Sequence, residues 1–116
     1  MGEIWVDIKG YENLKASNKG RIYMKEHKYK MPNGGYKTVQ GKIKTQSITK
    51  NGYLYIQHKI KGKNTILYVH RLIAKAFPEV CGKWFDGCQV DHLNTIRTDN
   101  NIYNLRVCTA YDSLQD

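Results

Sequence analysis

Short runs in which apolar and polar residues alternate recur along the chain and predict strands. Residues 3–8 alternate in this way, and residues 21–24 form a second, shorter run. Residues 53–60 and 65–70 are longer β-rich runs. The four residues between them include a glycine, so the pair predicts a β-hairpin. We expect one face of this hairpin to lie against the core.

The hydrophobic period changes to that of a helix over residues 69–77. Pro78 is predicted to end this helix, and residues 80–88 are predicted to form a loop. The apolar positions that fall on one helical face are expected to be core: Val69, Leu72, Ile73, Ala76 and Phe77.

Two short strands around a polar loop are predicted in the last third of the chain. Residues 89–92 and 105–109 have strand character, and residues 93–104 between them are rich in Asn and Asp. Thr109 and Asp112 have the spacing of a capping box, which predicts a helix beginning near Thr109. The fold class is therefore α+β, with a β-rich N-terminal part.

A chain of 116 residues is long enough for one compact domain or two small lobes. We divide it into residues 1–50 and residues 51–116, although one compact unit is also possible. No apolar run approaches the roughly 18 residues of a membrane helix, and the first ten residues lack the apolar stretch of a signal peptide. Three cysteines favour a reducing compartment, so we expect a cytoplasmic protein without a disulfide framework.

Basic residues are concentrated in the N-terminal part. Residues 1–70 carry 14 Lys and Arg against four acids, whereas residues 71–116 carry five against six. Residues 25–41, a lysine-rich loop or long hairpin, contribute to this excess. Such an asymmetry favours a polyanionic partner such as nucleic acid, because each neutralised phosphate releases counterions; the alternative is a solvated surface.

Residues with catalytic potential meet around the polar loop. Asp91 and His92 end the first strand, and Asn104 precedes the second. Adjacent residues in a strand point to opposite sides, so a carboxylate and an imidazole could divide two roles. An imidazole is a suitable general base at neutral pH, and a carboxylate is a hard ligand suited to Mg²⁺ or Mn²⁺.

Two segments carry a family resemblance. VHRLIAKAFP and QVDHLNTIRTDNNIYNLRVCT, in this order, resemble HNH endonucleases of the phage and intron-homing branch. EIWVDIKGYENLKASNKGRIY at the N-terminus resembles the NUMOD-type element that often precedes such nuclease domains. The resemblance implies a C-terminal ββα-metal finger that binds one divalent ion, with a small basic β-rich DNA-binding part before it.

The resemblance also implies roles for individual residues. His92 would be the general base that activates water, Asp91 a metal ligand, and Asn104 the residue that holds the loop and orients the histidine. The family's third position, a metal-binding His or Asn, falls on Ser113. A serine hydroxyl is a poorer ligand; neighbouring Asp112 or Asp116 could replace it, water could complete the shell, or cleavage could be impaired.

The implied function is a DNA endonuclease that hydrolyses phosphodiester bonds with Mg²⁺ or Mn²⁺. The alternatives are a DNA-binding protein that kept the fold but lost catalysis, and an RNA-binding module. One site per chain would nick one strand, and a homodimer could cut both. The residues expected to contact DNA are Arg21, Lys42, Lys44, Lys59, Lys61, Lys63, Arg71, Arg97 and Arg106.

Other polar residues are expected to be structural. Asn100 and Asn101 suit turn geometry, and His70 is expected to be a hydrogen-bonded structural residue. The spacing of the three cysteines differs from that of a zinc knuckle, so we do not expect structural zinc.

Overall fold

The fold was determined as a computed structural model, which describes residues 2–110. Within that range the chain is rich in short strands, and the two α-helices lie between the ninth and tenth of them. The strands are β1 (Trp5–Asp7), β2 (Leu14–Ser17), β3 (Ile22–Met24), β4 (His27–Lys30), β5 (Tyr36–Val39), β6 (Lys42–Ile43), β7 (Ser47–Ile48), β8 (Leu54–Ile60), β9 (Lys63–Tyr68), β10 (Gln89–His92) and β11 (Leu105–Cys108). The helices are α1 (Val69–Ala76) and α2 (Pro78–Cys81).

The strands form four small antiparallel sheets. The N-terminal sheet has the order β1-β2-β3-β6, and β4 and β5 form a separate hairpin inserted between β3 and β6. The third sheet has the order β7-β8-β9, and β10 pairs only with β11 among the described strands. The lysine-rich segment 25–41 is therefore a long hairpin, which was one of its two predicted forms.

Strand β2 was not predicted, because it is only four residues long and lies between two clusters of turn-forming residues. Leu14 and Ala16 are buried, and Asn13 before them has a φ of +70° that redirects the chain. The strand exists because it pairs with β1 and β3, and a local pattern contains no information about such distant partners.

The β8–β9 hairpin is confirmed, but its predicted four-residue turn is wrong. Ile60 pairs with Lys63, so the loop contains only Lys61 and Gly62. Both loop residues have positive φ, +51° and +79°, which is the requirement of a type I′ turn. This turn has the twist of the flanking strands, so Lys63 and Asn64 continue as strand.

Helix α1 is confirmed, and its apolar face is core. Val69, Leu72 and Ile73 are buried, as is Phe77 immediately after the helix. The predicted loop over residues 80–88 is wrong at its start, because a second short helix begins at Pro78. Proline suits the first helical position, where its missing N–H is not needed.

A continuous hydrophobic core joins both halves of the chain. Leu14 and Ile22 from the N-terminal sheet belong to the same cluster as Ile56, Ile73 and Leu105. Within residues 2–110, no helix combines the length and apolarity needed to cross a membrane. The helix predicted to begin near Thr109 lies almost wholly outside the described residues.

Candidate active site

Strands β10 and β11 form the frame of the site. Their register places Asp91 opposite Arg106 and His92 opposite Leu105. A guanidinium nitrogen of Arg106 lies 3.2 Å from Oδ2 of Asp91, and the side chain of Asp91 is only 14% exposed. The frame therefore holds a carboxylate and a guanidinium as a cross-strand ion pair beside His92.

Asn104 holds together the loop that connects these strands, residues 93–104. Its side-chain oxygen accepts from the backbone N–H of Asn94 at 2.9 Å, and its side-chain nitrogen donates to the carbonyl of Asp99 at 2.8 Å. The backbone N–H of Leu93 also donates to the carbonyl of Asn104, at 2.8 Å. Asn104 thus contacts both ends of the loop, and its backbone carbonyl bonds the residue directly after His92.

The ring of His92 is oriented by a side chain to which we assigned no catalytic role. Its Nε2 lies 2.7 Å from Oδ1 of Asn100. An amide oxygen can only accept, so a neutral His92 ring that makes this contact has its proton on Nε2 and its lone pair on Nδ1. In that tautomer the ring presents Nδ1 as its basic atom.

Aromatic rings surround His92. Tyr53 stacks on His70 with ring centroids 5.0 Å apart, and the His70 ring lies 5.2 Å from that of His92. Arg97 lies over Tyr53, 4.9 Å from the ring centroid, and donates to the carbonyl of Asn51 at 2.6 Å. These contacts connect the start of β8, the start of α1 and the 93–104 loop.

His70 differs from its expected state. Its Nδ1 is buried and has no hydrogen-bond partner among residues 2–110, so the expected hydrogen bond is absent at this atom. Burial, followed by the proximity of His92 and Arg71, lowers the pKa of His70 to about 4. His70 is therefore a neutral ring at physiological pH and packs as an aromatic.

These groups line an open cleft of about 920 Å³. The cleft brings together five of the residues that were predicted from the sequence to be functional: Arg71, Asp91, His92, Arg97 and Arg106. Lys50 adds a further positive charge at its wall. A cleft with one carboxylate, two imidazoles and several cations suits an anionic ligand, and a phosphate is the anion that arginine forks recognise best.

The donor set for a divalent metal is incomplete within residues 2–110, where no group of three or more His, Cys, Asp and Glu side chains could hold an ion. Asp91 supplies a hard carboxylate at the cleft. The other predicted ligands, Ser113 and Asp112, lie outside the described residues, as does Asp116. One carboxylate is compatible with Mg²⁺, which commonly takes its remaining ligands from substrate phosphates and water.

Lysines predicted to contact DNA line a second concavity, which we call the basic groove. Lys42, Lys44 and Lys59 lie along it, and its volume is about 860 Å³. Burial, with a smaller contribution from Lys42, lowers the pKa of Lys44. Lys61 occupies the β8–β9 turn and Lys63 begins β9, so both lie at the end of the hairpin that borders the groove.

Arg21 and Arg71, the other two arginines of the predicted DNA-contacting set, also have intramolecular partners. Arg21 lies with Nε 2.9 Å from the carboxylate of Glu3, and this contact lowers the pKa of Glu3 to about 2. Arg71 donates to the carbonyl of Cys88 at 3.0 Å and lies over the Trp84 ring. Arg21 lines neither the cleft nor the basic groove, whereas Arg71 lines the cleft.

The three cysteines, all within residues 2–110, are buried and form no disulfide with one another. Sγ of Cys81 donates to the carbonyl of Ile102 at 3.3 Å, and burial raises the pKa of this thiol to about 11. A protonated, buried thiol is chemically inert and packs as a small apolar residue.

Sequence reasoning assigned no functional role to Asn100, Tyr53 or His70. One signal could have found the aromatic pair, because the β8–β9 register extended past Tyr55 and Tyr68 places Tyr53 opposite His70. No comparable signal existed for Asn100, since its contact with His92 depends on the course of the 93–104 loop.

Comparison with known proteins agrees with this architecture. Residues 3–58 match the family model described as the NUMOD4 motif, and residues 67–114 match that of the HNH endonucleases. The chain is 34% identical over 106 residues to DNA endonuclease I-HmuI from Bacillus phage SP01, which covers 90% of this chain and 52% of that protein. The chain spans about half the length of this curated relative.

A solved structure, described as DNA binding and cleavage by the HNH homing endonuclease I-HmuI, has the same fold. It superposes with a TM-score of 0.73 at 31% identity, covering 97% of this chain and 56% of that one. The α+β architecture with a C-terminal HNH part is thereby confirmed. The chain thus carries a NUMOD4 motif over residues 3–58, followed over residues 67–114 by a segment that matches the HNH endonuclease family.

Proposed function

We propose that this protein is a metal-dependent DNA endonuclease in which His92 is the general base. The observation that carries the proposal is the hydrogen bond between Nε2 of His92 and Asn100, which leaves Nδ1 as the basic atom in a cationic cleft. The family supports the substrate, because the relative I-HmuI is a DNA endonuclease.

The reaction is hydrolysis of a phosphodiester bond. Nδ1 of His92 takes a proton from water as the water oxygen attacks phosphorus in line, and the bond to the 3′ oxygen breaks. Arg97 and Arg106, which line the cleft, stabilise the added negative charge on the phosphate. The rings of Tyr53 and His70 lie beside the His92 ring and limit the space in which it can turn.

HNH endonucleases generally use a divalent metal. We assign Asp91 as its carboxylate ligand here, with Mg²⁺ or Mn²⁺ as the ion and Ser113 or Asp112 as the second protein ligand. When bound, the ion supplies Lewis acidity to a phosphate oxygen and the leaving group. Arg106 compensates the charge of Asp91 and positions its carboxylate at the cleft edge.

DNA binding is assigned to the cleft and the basic groove together. Lysines of the groove neutralise backbone phosphates, which gives affinity without sequence choice. Three buried cysteines without a disulfide among them are compatible with the reducing cytoplasm of a bacterial or phage-infected cell.

The test is nicking of a supercoiled plasmid in EDTA, Mg²⁺ or Mn²⁺, with DNA affinity measured in parallel. We expect metal-dependent open circles from the parent protein. His92→Ala should lower the rate by roughly 10²- to 10⁴-fold, with DNA affinity unchanged, because a general base acts on the chemical step. A control is Phe85→Ala, which removes a partly exposed ring at a position that lines neither the cleft nor the basic groove.

Loss of DNA affinity together with cleavage in His92→Ala would contradict the catalytic assignment and make His92 structural. Absence of cleavage by the parent protein with every metal, alongside salt-sensitive DNA binding, would favour the alternative of a catalytically impaired protein. Ser113 motivates that alternative, and Ser113→Asn or Ser113→His should then restore nicking.

A single site per chain leads us to expect nicking by a monomer. Cutting of both strands in one encounter would require two copies, and its rate would then rise more steeply than linearly with protein concentration.

A further inference from the structure

The β2–β3 turn of the N-terminal part contacts the 93–104 loop at one glycine. Gly20 has a φ of +93°, which L residues rarely adopt. A Cβ at position 20 would lie 2.9 Å from the carbonyl oxygen of Asn100 and 3.1 Å from its Cβ. The two backbones are therefore closer than any side chain at position 20 would permit.

Two hydrogen bonds hold the β2–β3 turn in its position. The backbone N–H of Ile102 donates to the carbonyl of Asn18 at 3.1 Å. The side-chain nitrogen of Gln46 donates to the carbonyl of Gly20 at 2.9 Å. The turn is thus tied once to the 93–104 loop and once to the chain that follows β6.

Asn100 itself is held by packing more than by hydrogen bonds of its side chain. It is 3% exposed, and its Nδ2 has no hydrogen-bond partner within residues 2–110. Its Oδ1 faces Nε2 of His92 at 2.7 Å. Nothing within that range fixes the amide from its nitrogen side, and the contact with Gly20 fixes the backbone and Cβ from which the amide extends.

We propose that Asn100 is a positioning residue for His92 and that the Gly20 turn holds Asn100 in place. The N-terminal part then sets the geometry of the catalytic histidine in addition to binding DNA. This proposal rests on the function proposed above for the reaction, but the geometry of the His92 ring can be measured without cleavage.

The first test is the tautomer of His92, read from long-range ¹⁵N–¹H NMR spectra of the histidine rings. We expect the parent protein to have its proton on Nε2. Asn100→Ala should lose this preference, and Asn100→Asp should keep it because a carboxylate oxygen still accepts. A parent His92 with its proton on Nδ1, or an unchanged spectrum in Asn100→Ala, would overturn the proposal.

The second test compares two glycines with the same backbone conformation. Gly34 has a φ of +89°, and a Cβ at position 34 would have no neighbouring atom within 4 Å. Gly34→Ala therefore has the backbone strain of Gly20→Ala but not its steric clash with Asn100. We expect Gly20→Ala to lower kcat for nicking roughly 10- to 100-fold with little change in DNA affinity, because small displacements of a catalytic group have such effects. Gly34→Ala should change neither quantity. Equal kcat values for the two variants would contradict the role of the Gly20 turn.

Gln46→Ala provides a milder variant should Gly20→Ala fail to fold. It removes one hydrogen bond to the turn and leaves the backbone contact, so a smaller fall in kcat and a partial change of the His92 tautomer are expected. If the parent protein cleaves no DNA, the proposed function fails, and the NMR comparison of the Asn100 variants still decides the positioning role.

Discussion

Asn104 makes side-chain hydrogen bonds to both sides of the 93–104 loop, and it is buried. The residue next to His92 depends on it through the bond between the N–H of Leu93 and the carbonyl of Asn104. Two polar backbone groups, the N–H of Asn94 and the carbonyl of Asp99, would lose their partner if this side chain were shortened.

We therefore expect Asn104→Ala to lower the free energy of unfolding by about 1–3 kcal/mol, the range for leaving buried polar groups unsatisfied. Nicking should fall with it, because the loop that supports His92 is loosened. Urea denaturation measures the first effect and the plasmid assay the second. Asn104→Asp keeps the acceptor for Asn94 but sets a buried carboxylate oxygen against the carbonyl of Asp99, so it should lose at least as much stability as Asn104→Ala. Unchanged stability in both variants would mean that these hydrogen bonds contribute nothing.

At the scale of the elements, the β4–β5 and β8–β9 hairpins and strand β6 contribute lysines to the basic groove. These charged residues are placed by strand pairing. Each lysine that neutralises a phosphate adds to the DNA affinity, and its contribution falls as salt rises because binding releases counterions.

Lys42→Gln with Lys59→Gln should weaken DNA binding and reduce the slope of log Kobs against log salt by about 2, one unit for each phosphate that is no longer neutralised. Lys9→Gln with Lys83→Gln removes the same charge at positions that line neither the cleft nor the groove. Fluorescence anisotropy at several salt concentrations measures both pairs. The same slope of log Kobs against log salt in the two double variants would mean that the groove is not part of the DNA-binding surface.

At the scale of the whole molecule, one hydrophobic cluster connects the N-terminal sheet with α1 and the β10–β11 frame. Ile22 and Ile73 are fully buried members from opposite sides of position 50. A cluster shared in this way predicts cooperative unfolding of both parts rather than two separate transitions.

Ile22→Ala and Ile73→Ala should each lower the free energy of unfolding by about 2–5 kcal/mol, and thermal unfolding of each variant should remain a single transition. Ile48→Ala is the control, because Ile48 is 59% exposed and should change stability by less than about 0.5 kcal/mol. A scan with two separated transitions in Ile22→Ala would show that the N-terminal part unfolds independently.

Local physics explains how much of the fold and site could be predicted from the chain. The helical period over residues 69–77, the alternation in β8 and β9, and the Asp91–His92 pair depend on neighbours a few residues apart, so the pattern contains them. Strand β2 and the start of α2 were missed, because a four-residue strand or helix is too short for its period to be recognised.

The sequence by itself determined the α+β class, the basic N-terminal part and the resemblance of the segment around His92 to the HNH endonucleases. These features follow from residue types and their spacing. Only the tertiary structure decided that Asn100 bonds His92, that His70 is a buried neutral ring, and that Gly20 contacts the 93–104 loop. These features depend on residues that are distant in the chain, such as Gly20 and Asn100, and packing of the whole core sets their approach. Contacts of that kind leave no period or motif in the sequence.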